Sequence, residues 1–262
     1  MNRMSNGISN RVFCLRTLLW AAMVLGAALL VWANRPIFLV INGRHFPALD
    51  RVMLSVTHFG NSYVLAIIIF LAAPFRRDVT IRAALSMIIA GVITALAKDL
   101  LAMPRPAVVF PNAVHVLGPV LRSKSMPSGH TTAVFALAFS LRKAVPRGWY
   151  IGALVSAAAV AVSRIYIGAH FPVDVLAGAV AGWVGSRVAK RPSDALIARA
   201  RLAGRSFERV CLALAAASGI WIILEEPMMR YNPFFLGSVG IFGAVAAVVL
   251  LSRSFLRERG SS

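Results

Sequence analysis

Apolar segments separated by short polar turns recur along nearly the whole chain, and that recurrence leaves few folds open. Eight stretches stand out, near residues 17–34, 62–75, 83–101, 129–142, 148–166, 173–189, 210–224 and 234–252. A crossing helix needs about 20 consecutive apolar residues, and within lipid only helices or closed barrels satisfy every backbone polar group. Stretches 62–75, 129–142 and 210–224 are short for a crossing. The pattern predicts an all-α fold, a polytopic transmembrane helical bundle of about eight spans. Composition agrees: 59% of residues are apolar, 14% are charged and the mean hydropathy is +0.76, whereas soluble domains hold about 25% charged residues.

The chain divides on this reading into a six-span core over 1–190, a basic cytoplasmic loop over 191–209, and a two-span hairpin with a tail over 210–262. Between the first two spans, Phe46, Leu49, Val52, Met53, Val56 and Phe59 share one helical face, while Asp50, Arg51 and His58 fall off it. This predicts an amphipathic interfacial helix over 46–59. At the amino end, Arg3, Arg11 and Arg16 precede an apolar run from Thr17 to Ala33. That layout is shared by signal sequences, but the run exceeds their usual core of about 7–15 residues, so an uncleaved first span is expected. No internal repeat or low-complexity tract is visible.

The formal charge of +19 comes from 28 basic residues, 24 of them arginine, scattered between the apolar stretches without a continuous block. Nucleic-acid binding is excluded on that distribution; charges so placed orient spans and meet anionic headgroups. With the amino terminus inside, nineteen basic residues fall on the cytoplasmic side and nine on the other. Both termini are therefore expected in the cytoplasm of a cell with the chain as a multi-pass inner-membrane protein. Cys14 and Cys211 belong to no Cys/His cluster, so neither a structural disulfide nor a zinc site is expected.

Charged groups at span ends need a reason, since each costs about 2.5–3.5 kcal/mol inside a membrane helix. Three clusters carry them: Lys98 to Pro106 closing the third span, Ser125 to His130 opening the fourth, and Ser163-Arg164 with His170 and Asp174 between the fifth and sixth. Thirty-two residues separate His130 from Ser163, enough for one crossing and its return, so all three clusters face one side. The charge count makes that side the outside. Lys98, Arg105 and Arg164 suit a group with several negative oxygens. Ser128 and Gly129 at a helix start offer free backbone N–H groups to the same anion. Phosphoryl transfer needs that charge and in-line positioning above all. Asp174, four residues beyond His170, orients the imidazole if the segment is helical and leaves its other nitrogen to attack phosphorus. His130 is the general acid and base. Arg122 and Lys124 lie where a substrate headgroup would sit. Asp99 is read as a local partner of Lys98, and His45, His58 and His115 as interfacial or loop residues.

The arrangement KxxxxxxRP, PSGH and SRxxxxxHxxxD resembles the three-part signature of the type 2 phosphatidic acid phosphatase superfamily, which includes bacterial acid phosphatases and vanadium haloperoxidases. Every fixed position is present: Lys98, Arg105, Pro106, Pro127, Ser128, Gly129, His130, Ser163, Arg164, His170 and Asp174. The resemblance covers residues 98–174 and, by hydropathy, the membrane branch. It implies a helical-bundle core, a phosphohistidine intermediate, and neither metal nor other cofactor. The expected activity is hydrolysis of a phosphorylated lipid or isoprenoid: undecaprenyl diphosphate, phosphatidylglycerol phosphate, phosphatidate or lipid A phosphate. A lipid phosphotransferase would use the same site. A transporter or a scaffold fits worse, because the charges gather at span ends and the signature is intact. Membrane lipids are expected partners and no obligatory protein partner is evident. The seventh and eighth spans go beyond the common six-span core.

Overall fold

In the computed structural model the described residues are 31–200, 205–225 and 227–259, with Thr17, Gly26 and Ala28. Most of the first expected span, Arg3, Arg11, Arg16 and Cys14 lie outside them, as do residues 201–204 of the basic loop. The described chain is helical: α1 over 31–42, α2 Pro47–His58, α3 Ser62–Leu71, α4 Arg77–Leu101, α5 Pro106–Val109, α6 Gly129–Ser140, α7 Arg147–Tyr166, α8 Pro172–Val188, α9 Lys190–Ala200, α10 Ser206–Glu225 and α11 Pro233–Arg259.

Local chemistry sets many of the boundaries. Proline opens α2, α5, α8 and α11, a position where its missing N–H costs nothing. Asn61 caps α3 by accepting from Tyr63 N and Val64 N at 2.8 and 3.4 Å. Helix α4 stops at Ala102, which takes a left-handed conformation (φ +45°) two residues ahead of Pro104.

Four segments are long and apolar enough to cross a membrane: Arg77–Val109, Arg147–Tyr166, Ser206–Leu224 and Pro233–Phe255. The pair α2 and α3, bent by 57°, makes a fifth if it is one broken span. The chain is thus a multi-span membrane protein. At 12 and 17 residues, α6 and α8 are shorter than a usual crossing.

Helix α6 sits at the centre, against α4, α7 and α8. Glycine on α8 makes the closest of these contacts. A Cβ on Gly178 would lie 2.7 Å from Ser128 O, and one on Gly182 2.8 Å from Thr132 O. This spacing of small residues lets two backbones touch where lipid supplies no hydrophobic drive. The core beside α6 is apolar, from Leu65, Ile69, Ala83, Val134, Ala138 and Val160. The antiparallel pair α10 and α11 packs on α3 through Val64, Ile67, Ile222 and Leu236.

Side-chain bonds tie the bundle at both ends. At one end Arg77 reaches Glu208 (2.7 Å), Arg82 reaches Asp194 (2.7 Å) and Arg76 donates to Ala144 O. At the other, Tyr166 donates to Asp50 (2.7 Å), Arg164 to Thr57 (2.9 Å) and Asn232 to Ser55 (3.2 Å). Helix α2 exposes Phe46, Val52 and Phe59 and turns Asp50, Thr57 and His58 inward.

Candidate active site

The second end carries all three charged clusters. Arg105, just beyond α4, is fixed by Ser123 O (3.0 Å from Nε), Ala169 O (3.0 Å from Nη1) and Lys124 O (3.4 Å from Nη2). Its Nη1 lies 3.3 Å from His170 Nε2. Lys98, on the last turn of α4, donates to Lys124 O at 3.0 Å. The backbone of the loop before α6 therefore holds two of the cations in register.

His170 lies in the short loop between α7 and α8, not on a helix, with its backbone N–H on Arg164 O at 3.2 Å. Asp174 meets it for a reason other than a shared helical face. Its carboxylate reaches back to cap α8, accepting from Phe171 N at 2.8 Å, and so comes within 3.5 Å of His170 Nδ1. Ser125 stands between them: its Oγ donates to Asp174 Oδ2 at 2.5 Å and lies 3.3 Å from His170 Nδ1. With the Ser125 proton on the carboxylate, Oγ accepts from Nδ1–H, and Nε2 keeps its lone pair on the side of Arg105. Burial first, then Arg164, Arg105 and Lys98, lowers the His170 pKa well below the ordinary imidazole value. Both causes favour the neutral ring.

Ser128 N donates to Asp174 O at 2.9 Å, which joins the start of α6 to the first turn of α8. Gly129 and His130 follow as the first helical residues of α6, where N–H groups have no intrahelical acceptor. A Cβ on Gly129 would meet nothing within 4 Å, so glycine there leaves space open rather than filling a packing need. Lys98, Gly129 and His130 line one cavity of about 310 Å³ that continues past Ala95, Gly91 and Met87.

Arg164 is buried, its Nη1 on Thr57 Oγ1 at 2.9 Å and its Nε without a partner among the described residues. Lys98, Arg105, Ser128, Gly129, His130, Arg164, His170 and Asp174 thus meet at one end of the bundle. Arg122 is exposed and makes no hydrogen bond or ion pair to the described residues. The Lys124 side chain turns to Asp99 (2.7 Å), so Asp99 partners Lys124 and not Lys98, because Lys98 is drawn to the loop carbonyl.

Three residues with no role assigned from sequence join the site. Ser125, flanking the second motif, is the intermediary just described. Thr57 holds Arg164. Gly60 gives room to His130: a Cβ there would lie 2.9 Å from His130 Cβ and 2.8 Å from Val160 Cγ1. Nothing in the local sequence ties Gly60 to a histidine 70 residues away. His58 is fully buried and stacked on Phe235, with both ring nitrogens unpartnered among the described residues, which corrects its reading as an interfacial or loop residue. His115 pairs with Asp50 at 3.2 Å across the loop.

His45, Asp50 and His115 bring three ligand atoms within 4.8 Å of one another. The two imidazoles are stacked at 3.8 Å with planes 8° apart. Rings so parallel do not aim both lone pairs at one point, and a metal would require them to splay.

The sequence profile described as the PAP2 superfamily matches residues 79–195, a span holding every motif position. The chain is 32% identical over 154 residues to an undecaprenyl-diphosphatase of Sulfolobus acidocaldarius, covering 58% of this chain and 74% of that protein. It is 31% identical over 187 residues to undecaprenyl-diphosphatase BcrC of Bacillus subtilis, covering 68% and 93%. The crystal structure of Aquifex aeolicus LpxE superposes with a TM-score of 0.57 at 28% identity, covering 60% of this chain and 94% of that one. Matching motifs, relatives covered over most of their length and a shared helical framework lead to one conclusion: this chain belongs to the PAP2 superfamily of type 2 phosphatidic acid phosphatases.

Proposed function

We propose that this membrane phosphatase removes the terminal phosphate of undecaprenyl diphosphate at the outer face of the cytoplasmic membrane. The hydrogen-bonded series Arg105–His170–Ser125–Asp174 carries the reading, because it leaves a neutral imidazole nitrogen beside a guanidinium. His170 Nε2 attacks the terminal phosphorus while the bond to the bridging oxygen breaks. His130 gives its proton to that oxygen, and the departing group is the isoprenyl monophosphate. Water then attacks the phosphohistidine, passing its proton to His130 as the N–P bond breaks; phosphate leaves and both histidines are restored. Lys98, Arg105, Arg164 and the Gly129 N–H stabilise the equatorial oxygens; the Ser128 N–H, expected to share that task, is taken by Asp174 O. Arg122, free at the rim, is placed to meet the second phosphate, with Lys124 beside it.

The substrate assignment draws on the two undecaprenyl-diphosphatase relatives and on the cavity that runs from Lys98 and His130 between α4 and α6. The bias of basic residues supports an outward site, cytoplasmic termini and eight crossings, six in the core and two in the α10–α11 pair, with α6 and α8 as short crossings.

Purified protein offered undecaprenyl diphosphate, phosphatidylglycerol phosphate, phosphatidate and lipid A in parallel should release phosphate fastest from the first, with activity kept in excess EDTA. The His170→Ala variant should remain folded and inert. Ordinary turnover in that variant rejects the mechanism; preference for another lipid rejects the substrate.

A further inference from the structure

The end of the bundle remote from His170 holds a second cavity, of about 190 Å³. Arg82 and Lys98 both lie on α4, sixteen residues apart, which separates the two ends by about 24 Å of helix. The cavity is formed by the start of α4, the turn after α6, the start of α7, the end of α8 and the start of α9. Arg82, Arg142, Lys143, Arg187 and Lys190 all line it. Among the described residues Asp194 is the one acid paired with them, bound by Arg82 at 2.7 Å and Lys190 at 3.4 Å. Arg142, Lys143 and Arg187 have no carboxylate partner among the described residues, and Arg187 lies over the Trp183 ring at 5.3 Å.

An independent observation points to a ligand. Ser193 lines the same cavity, is 1% exposed, and its Oγ has no hydrogen-bond partner among the described residues. A buried hydroxyl without a partner is costly. Cations in excess of acids and an unanswered donor together describe a site short of an oxyanion. The volume equals about six waters at their ~30 Å³ liquid share, room for a phosphate group. On α8, Trp183 of the cavity wall and Val180 just before it are exposed, as suits an amphiphile whose tails lie along the helix. Basic pockets between membrane helices on the cytoplasmic side hold lipid headgroups by this chemistry.

We infer that this cavity is a second, non-catalytic phosphate site that holds the headgroup of an anionic phospholipid and clamps α4, α6, α7, α8 and α9 together. The ligand is a phosphodiester such as phosphatidylglycerol, which lacks the terminal phosphate that the His170 site attacks. The inference stands apart from the catalytic reading, since the two sites share no residue.

The test uses delipidated full-length protein in phosphatidylcholine nanodiscs, with phosphatidylglycerol titrated in and the thermal unfolding midpoint followed. The wild-type midpoint should rise with phosphatidylglycerol and saturate. Replacing Arg142→Gln, Lys143→Gln and Arg187→Gln together should weaken the apparent affinity on the order of a hundredfold, at about fivefold per cation. Ser193→Ala should weaken it severalfold, and Lys143→Gln alone, at an exposed position, serves if the triple variant does not fold. Arg105→Gln, at the catalytic end, should leave the response unchanged. An equal rise in the cation variants, or a response lost in Arg105→Gln, overturns the site. A variant-sensitive rise produced equally by inorganic phosphate overturns the lipid as its ligand.

Discussion

Ser125 converts an awkward distance into a working one. Asp174 Oδ2 and His170 Nδ1 are 3.5 Å apart, too far for a good bond, while Ser125 Oγ reaches both. Ser125→Ala removes a hydrogen bond to a charged group, worth about 1.5–3 kcal/mol. The expected loss in kcat is therefore roughly 10- to 100-fold, with KM little changed and partial recovery in Ser125→Thr. Steady-state kinetics check this, and loss in KM alone would count against it. The lowered pKa of His170 has a sign that can be read in the same assay. A depressed imidazole stays neutral as pH falls through its ordinary range, so the nucleophile is lost only below about 6.5. The acid limb of kcat/KM in the wild type should lie below that value; a limb above it contradicts the burial and the cations as its environment. At this scale the motif residues were legible in the sequence, whereas Ser125 was visible but without a role. The i, i+4 spacing of His170 and Asp174 suggested a shared helix face. The actual contact arises because Asp174 caps α8 and reaches backward.

The helices differ in what holds them in place. On α8, Gly178 and Gly182 bring its backbone onto Ser128 and Thr132 at α6, and this contact sets where the turn opening α6 lies. Between α2 and α3, Gly60 performs the matching task for His130. A methyl group there meets His130 Cβ at 2.9 Å and Val160 at 2.8 Å, neither of them the far end of a flexible chain. Gly60→Ala should displace the imidazole and lower kcat roughly 100-fold, the usual consequence of moving a catalytic group by about 1 Å. The thermal midpoint should fall less than activity does, and a variant with normal turnover would show that His130 has room to spare. The helices themselves were legible from hydropathy: the apolar runs at 83–101, 148–166, 210–224 and 234–252 lie within or along α4, α7, α10 and α11. Their close contacts were not, because a glycine in an apolar run looks the same whether it touches a backbone or faces lipid.

At the scale of the whole molecule, α4, α6, α7 and α8 run so that all three motif clusters fall at one end and the Arg82–Lys190 cavity at the other. Orientation in the membrane gives this polarity its meaning. Pro111→Cys, in the loop beside the catalytic end, should react with an impermeant thiol reagent in intact spheroplasts. Arg147→Cys, at the start of α7, should react only after permeabilisation. The reverse pattern means an inward-facing site. Two things were decided by the sequence alone: an all-helical membrane bundle, and the set of charged and polar groups that the motifs hold. Both follow from local chemistry, since hydropathy reports what a segment can be surrounded by, and a motif records which groups are present. The partners of those groups were decided only by the tertiary structure. Ser125 between His170 and Asp174, Thr57 on Arg164 and Lys124 on Asp99 are contacts between segments far apart in the chain. They exist because helix packing brings those segments together, and no spacing along a single stretch encodes that distance.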